Sequence, residues 1–236
     1  MILGREEGKI YWLKEFERKA SEVKEVYKAS GWRTPNSLRA RMKVVKRLLS
    51  HVSTFLRQIG VPSSVILDLG CGPGSYLPLI SEFADTVVAL DLSPKMASRA
   101  RETWPKALVC VGDAEQLPFR DSVFHIIVCV GLLQYLDGAE KALSEMARVT
   151  KEDGAIIIIT LNSEFKLGRP ADISRTYSLD EIRCQLDRLG MKIWEHGFLV
   201  IAPFLFSFTS TSRLFSRLSV CIYLLATKAG GQEPGR

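Results

Sequence analysis

Histidine is scarce in this chain of 236 residues, with three in all, and no two of its five cysteines form a C-x-x-C pair. No ligand set with zinc spacing remains, so no metal site is expected. The cysteines (Cys71, Cys110, Cys129, Cys184, Cys221) are far apart and mostly inside apolar runs. They read as buried small hydrophobes in a reducing compartment, not as a disulfide framework. Long uncharged runs are missing too. The longest, Gly197 to Ser212, is too short and too rich in serine and threonine to cross a bilayer, which needs about 20 apolar residues. The N-terminus, Met1-Ile2-Leu3-Gly4-Arg5-Glu6-Glu7, lacks the charged-then-apolar order of a signal peptide. A cytoplasmic protein without a transmembrane segment is expected. There is no internal repeat, and only Gly230 to Arg236 reads as disordered.

Acidic residues are absent from Val26 to Gly60, where eight basic ones stand: Lys28, Arg33, Arg39, Arg41, Lys43, Lys46, Arg47 and Arg57. That stretch carries +8 in a chain of net charge +6, so the remainder is about −2. Such a belt can draw in an anionic substrate, an RNA or a lipid surface, and it can equally be the solvated face of a helix.

Periodicity divides the chain in two. Ile10, Leu13, Phe16, Ala20, Val23 and Tyr27 recur at three- and four-residue spacing, which predicts an amphipathic helix over 9–29. Trp32 to Asn36 reads as a connector. A second helix follows, with Leu38, Met42, Val45, Leu49, Val52, Leu56 and Ile59 as its stripe. After Gly60-Val61-Pro62 the pattern becomes short apolar runs alternating with helical periods. Strands are expected at 65–69, 86–90, 107–111, 123–130, 155–161, 192–200 and 219–227. Helices are expected at 94–103, capped by Ser93, at 139–149, and at 179–189, capped by Ser178. The expected fold is therefore α/β: a doubly wound, Rossmann-like, seven-stranded and mostly parallel sheet with helices on both faces. The last strand is expected to be antiparallel, since no full crossover helix precedes it. Residues 1–59 form a helical lid or extension in this reading, and 60–230 form the main domain.

Ligands of such sheets lie beyond the carboxyl ends of the strands, where strand order reverses. The first strand runs into Asp68-Leu69-Gly70-Cys71-Gly72-Pro73-Gly74, with glycine at alternate positions. Dinucleotide folds use G-x-G-x-x-G, which presents a helix N-terminus to a pyrophosphate. The spacing here differs, and the acidic Asp68 at the entrance suits a ligand with a cationic amine. Asp91 ends the second strand, where a carboxylate can accept both hydroxyls of a ribose. Asp113, after the third strand, can accept a hydrogen bond from an adenine amino group.

The run Val65 to Gly74 resembles motif I of the class I S-adenosylmethionine-dependent methyltransferases. Asp91 matches that family's ribose position, Gly112-Asp113-Ala114 its adenine segment, and Leu132-Leu133-Gln134-Tyr135-Leu136 the segment after its fourth strand. The resemblance covers about residues 60–195 and implies S-adenosylmethionine as cofactor, on Asp68, Gly70, Cys71, Gly72, Gly74, Asp91, Leu92, Asp113, Ala114, Val130 and Gln134. Two departures, His125 and Asp153, fall away from these positions. Neither a Pro-Cys pair nor an Asn/Asp-Pro-Pro-aromatic tetrapeptide follows the fourth strand. Cysteine-adduct chemistry on cytosine and exocyclic amino methylation of DNA are both disfavoured.

The acceptor is less legible. Candidate general bases are Tyr135, Tyr177 and His196, each with a structural role that competes with it, so no catalytic base is assigned. Ala202-Pro203-Phe204-Leu205-Phe206-Ser207-Phe208 reads as core or lid packing, or as an apolar acceptor pocket. The resulting expectation is methyl transfer to a small organic or lipid-like acceptor. RNA methylation through the basic belt and a noncatalytic cofactor-binding protein are the alternatives, and a homodimer stays open.

Overall fold

The computed structural model describes residues 5–32, 34–61, 63–165, 175–201 and 207–228. Three helices come first: α1 (Arg5–Glu22), α2 (Val26–Ala29) and α3 (Pro35–Gln58). The sheet segments follow as β1 (Val65–Leu69), β2 (Thr86–Asp91), β3 (Leu108–Val111), β4 (Phe124–Val130), β5 (Thr150–Leu161), β6 (Met191–Ile201), β7 (Ser207–Ser210) and β8 (Cys221–Lys228). Between them lie α4 (Leu77–Ile80), α5 (Pro94–Thr103), α6 (Glu140–Val149) and α7 (Leu179–Arg188), with short 3-10 helices at Leu133–Tyr135 and Arg213–Leu218.

The strand order is β3-β2-β1-β4-β5-β8-β6-β7. The first five strands are parallel, and β8 enters antiparallel between β5 and β6. All seven expected strands are present. An eighth, Ser207–Ser210, joins the far edge by pairing with β6. Its four residues, Ser207-Phe208-Thr209-Ser210, hold a single apolar side chain, too few to show an alternation that would mark a strand. Of the Phe-rich segment, residues 202–206 lie outside the described residues, as do Arg33, Pro62 and the 229–236 tail. Phe208 stacks edge-on against Phe215 at 5.2 Å.

Two apolar layers hold the helices to the sheet. On one face α3 and α4 pack Leu48, Leu49, Val52 and Leu77 against Ile66, Ile126, Val128, Ile157 and Tyr223. On the other, α6 and α7 pack Leu143, Met146, Ile182 and Leu186 against Leu67, Leu69, Ile127, Ile156 and Leu224. Each such side chain is worth about 1.5–3 kcal/mol when fully buried. β1 sits inside both layers, which is why it reads as a continuous apolar run broken only by Asp68.

Both expected caps form. Ser93 accepts from the Met96 N–H, and Ser178 makes a full capping box with Glu181. Ser178→Ala is expected to cost about 1 kcal/mol, lowering the thermal midpoint by roughly 2–4 °C in a chain of this size. An unchanged midpoint by circular dichroism would show that the box adds nothing.

The first helix departs from expectation. It ends at Glu22 and resumes only as the single turn α2. The Arg99 guanidinium, on α5, takes the carbonyls of Val23 (2.6 Å) and Lys24 (3.1 Å), satisfying the helix end from a distance in sequence. The buried face of α1 also differs, because Trp12 is buried while Ile10 is exposed.

Candidate functional site

The carboxyl ends of β1, β2, β3 and β4 converge where the strand order reverses between β1 and β4. Gly70, Gly72 and Gly74 all take positive φ, at 74°, 53° and 84°. A Cβ on Gly72 would meet nothing within 4 Å, so its open side faces a cleft. A Cβ on Gly74 would press on the backbone of α5 at 3.1 Å, so that glycine lets helix and turn approach. The turn is clamped by Asp91, whose Oδ2 accepts from the Gly72 N–H at 2.8 Å and whose Oδ1 accepts from the Ser93 N–H at 2.9 Å.

Asp68 is 2% exposed, and its Oδ2 has no hydrogen-bond partner. Burial, reinforced by the nearby Asp91 carboxylate, pushes its pKa up to about 8. Burial also raises Asp91, against the pull of the Ser93 and Gly72 N–H groups. A buried acceptor without a donor is costly unless a ligand supplies one. The amine of S-adenosylmethionine is such a donor, so these residues fit the group.

The cleft beside the turn encloses about 80 Å³ and is bounded by Gly70, Gly72, Asp91, Val130, Tyr76 and Tyr135. The N-terminal helices close it. Phe16 and Trp32 line it, and Trp12, Phe16 and Tyr135 form one aromatic cluster with ring centroids 4.6–6.1 Å apart. Glu17 of α1 accepts from the Ser93 hydroxyl and from the Lys95 N–H at 3.1 Å. Burial pushes the Glu17 carboxyl up, but these bonds hold it below the usual range. Lys9 pairs with Asp113 Oδ2, while Asp113 Oδ1 accepts from the Glu115 N–H at 3.0 Å. Asp113 thus lies two residues beyond the end of β3, outside the residues that bound the cleft, with one oxygen covered by α1.

The structure brings together Asp68, Gly70, Cys71, Gly72, Asp91, Val130 and Tyr135. Leu92 and Ala114 follow Asp91 and Asp113 directly, at the ends of β2 and β3. Cys71 is buried, which pushes its thiol up and leaves it inert. Gln134, in the 3-10 helix after β4, is buried with its Oε1 unpartnered and is not among the residues that bound the cleft. Tyr177 is buried and donates its hydroxyl to the Leu133 carbonyl at 3.1 Å, a bond that fixes the loop after β4. His196 lies on β6, four strand places from β1, or roughly 19 Å at the usual strand spacing. Burial, with Arg183 and Arg213 nearby, lowers its pKa. His196 is not brought to the cleft. Sequence reasoning missed Trp12, Trp32, Ser75 and Tyr76. Ser75 and Tyr76 follow the glycine turn directly and were within reach of it, whereas the two tryptophans needed the tertiary fold.

A profile of a methyltransferase domain matches residues 67–158, the span from the glycine turn through most of β5. Residues 67–158 therefore carry a methyltransferase domain of the S-adenosylmethionine-dependent kind. S-adenosylmethionine is its cofactor. Over 169 residues the chain is 30% identical to a malonyl-[acyl-carrier protein] O-methyltransferase of Geobacter sulfurreducens, covering 63% of each chain. It is 34% identical over 108 residues to the human protein named "Probable tRNA methyltransferase 9B", covering 44% of this chain and 23% of that one. The chain spans less than two thirds of the length of the curated relatives it matches. An S-adenosylmethionine dependent methyltransferase of Mesorhizobium loti shares its fold with a TM-score of 0.57 at 19% identity, over 70% of this chain and 90% of that one. No helix among the described residues is long and apolar enough to cross a membrane.

Proposed function

We propose that this methyltransferase acts on a small or lipid-like acceptor, of which an acyl thioester bearing a carboxylate is the favoured kind. The cofactor would rest on Gly70, Cys71, Gly72 and Gly74, with its amine on Asp68, its ribose on Asp91 and Leu92, and its adenine at Asp113 and Ala114. Val130 and Gln134 would close the remaining side. Residues 1–59 would act as the lid and 60–230 as the catalytic domain. The cleft under α1 is small beside the ~300 Å³ of ordinary ligand pockets, so α1 would lift to admit the nucleoside.

The observation that carries this reading is the aromatic cover of Trp12, Phe16, Trp32 and Tyr135 over the end of β4. Such a cover excludes water and grips an apolar chain, and it bars a folded nucleic acid from the cleft while closed. S-adenosylmethionine supplies an already activated methyl group, so the protein's task is to hold the acceptor atom in line and keep water out. A carboxylate acceptor carries no proton at neutral pH and needs no general base. That agrees with a Tyr177 hydroxyl committed to Leu133 and with a distant His196. The names of the malonyl relatives supply further support.

RNA remains the second reading, favoured by the basic belt and by the human relative. The belt is partly consumed, however. Arg41 is buried, while Lys28, Lys46 and Arg47 pair with Glu25, Glu82 and Glu195. Incubation of the protein and methyl-labelled cofactor with a malonyl thioester, and separately with total tRNA, tests both. Methyl ester on the thioester is expected. Label only in tRNA, weakening steeply with salt, would overturn the proposal.

A further inference from the structure

Arg41, one of the basic residues of the 26–60 stretch, is 2% exposed on α3. Its Nη1 donates to the Ser37 carbonyl at 2.8 Å and to the Ser37 hydroxyl, and its Nη2 donates to the Cys221 sulfur at 2.9 Å. A thiol is a weak acceptor. Nε has no partner, and no carboxylate bonds to the guanidinium among the described residues. Burying a cation in that state is strongly unfavourable unless something else meets its charge.

Its surroundings share the deficit. The guanidinium lies 4.0 Å from the centre of the Trp32 ring, and the Trp32 Nε1 is also without a partner. That ring leans on Gly131, where an added Cβ would meet it at 2.5 Å, so it sits at the exit of β4. The Tyr76 hydroxyl is buried and unpartnered, and it lies within reach of the charges of both Arg41 and Asp68. Trp32 and Tyr76 line the same cleft as the glycine turn. Cys221, at the start of β8, pairs with Leu161 at the end of β5, which puts Arg41 at the carboxyl end of the sheet. Three donors without acceptors, Arg41 Nε, Trp32 Nε1 and the Tyr76 hydroxyl, therefore belong to neighbouring residues, with Arg41 over the Trp32 ring and its charge felt at Tyr76. Asp68, an acceptor without a donor, lies within reach of the same hydroxyl.

We propose that Arg41, with the Tyr76 hydroxyl and the Trp32 indole N–H, is the carboxylate receptor of this cleft. The proposal rests on the cofactor-site reading given above. Two ligands bring a carboxylate there: the cofactor, through its amino-acid end, and a carboxylate acceptor. In either case the oxygen anion meets Arg41 Nε and the two neighbouring donors.

Calorimetric titration separates the two sources. S-adenosylhomocysteine carries the amino acid, and methylthioadenosine keeps the nucleoside and thioether without it. Arg41→Gln is expected to weaken S-adenosylhomocysteine binding at least about tenfold, and Tyr76→Phe about threefold to tenfold. Methylthioadenosine binding should stay within about twofold in both, and Arg41→Lys should recover part of the loss. That pattern assigns the receptor to the cofactor. Unchanged S-adenosylhomocysteine affinity with a KM for a malonyl thioester raised about tenfold at constant kcat assigns it to the acceptor. Equal weakening of both nucleosides, or no change in either affinity or KM, overturns the proposal. Tyr76→Phe keeps the ring, so it carries the test if Arg41→Gln fails to fold. Wild-type protein that binds neither nucleoside would contradict the cofactor-site reading instead.

Discussion

Alanine at position 91 is expected to weaken S-adenosylhomocysteine binding about 100-fold while leaving the chain folded. The Asp91 carboxylate has two tasks in the structure. Its oxygens accept the N–H groups of Gly72 and Ser93, fixing the glycine turn against the start of α5. Both lie at the rim of the cleft, where the same carboxylate would face a ribose. Charge-assisted hydrogen bonds are worth about 1.5–3 kcal/mol each, so losing the carboxylate removes preorganisation and ligand contact together. The core beneath, built on Leu67, Leu69, Ile127 and Cys129, is untouched. Gly72→Val should give a similar loss by a different route. At φ 53° a branched side chain is strained, and its Cβ would project into the open cleft. Calorimetry paired with circular dichroism checks both variants. Wild-type affinity in both would remove the glycine turn from the site.

Asp68→Asn should move stability and binding in opposite directions. The ligand-free fold holds the Asp68 carboxyl in a dry site with pKa about 8, against about 3.9 in the unfolded chain. Below pH 4 both states are protonated and the group costs nothing. As pH rises from about 4 towards 8, the unfolded chain gives up its proton while the folded one keeps it, so stability is lost through that window. Above about pH 8 the penalty is complete, on the order of 3 kcal/mol once relaxation of the neighbours is allowed for. Asparagine removes it. The ligand-free variant should therefore melt roughly 6–12 °C above wild type at pH 8, with no difference near pH 4. It should also bind S-adenosylhomocysteine at least about tenfold more weakly, because the amine loses its anion. A variant less stable than wild type at pH 8 would show that Asp68 is held charged by a partner.

Much of this site was legible because it is local in sequence. β1 is buried on both faces, so it shows as an apolar run, and a single carboxylate before a glycine turn stands out against it. Ser93 and Ser178 announced their helices because capping acts within three residues. What could not be read was set by contacts across the chain. Arg99 ends α1 from 76 residues away, and the pairing of Lys9 with Asp113 spans 104. Trp12 turns inward and Ile10 outward because the cleft rim, not the helical period, decides which face is covered. Arg41 was counted with surface charges, since arginine is rarely buried without a partner. Only the packing of α3 against β8 and Trp32 reveals that it is enclosed.

The central claim is that the Asp91 cleft delivers a methyl group to a small or lipid-like acceptor. Methyl-labelled S-adenosylmethionine added to a whole-cell extract with the wild-type protein, then with Asp91→Ala, tests it most directly. Partition into lipid, small-molecule, protein and RNA fractions should place the label in the lipid, small-molecule or carrier-protein fraction with wild type, and in none with the variant. Label confined to RNA, or label undiminished by Asp91→Ala, would contradict the account.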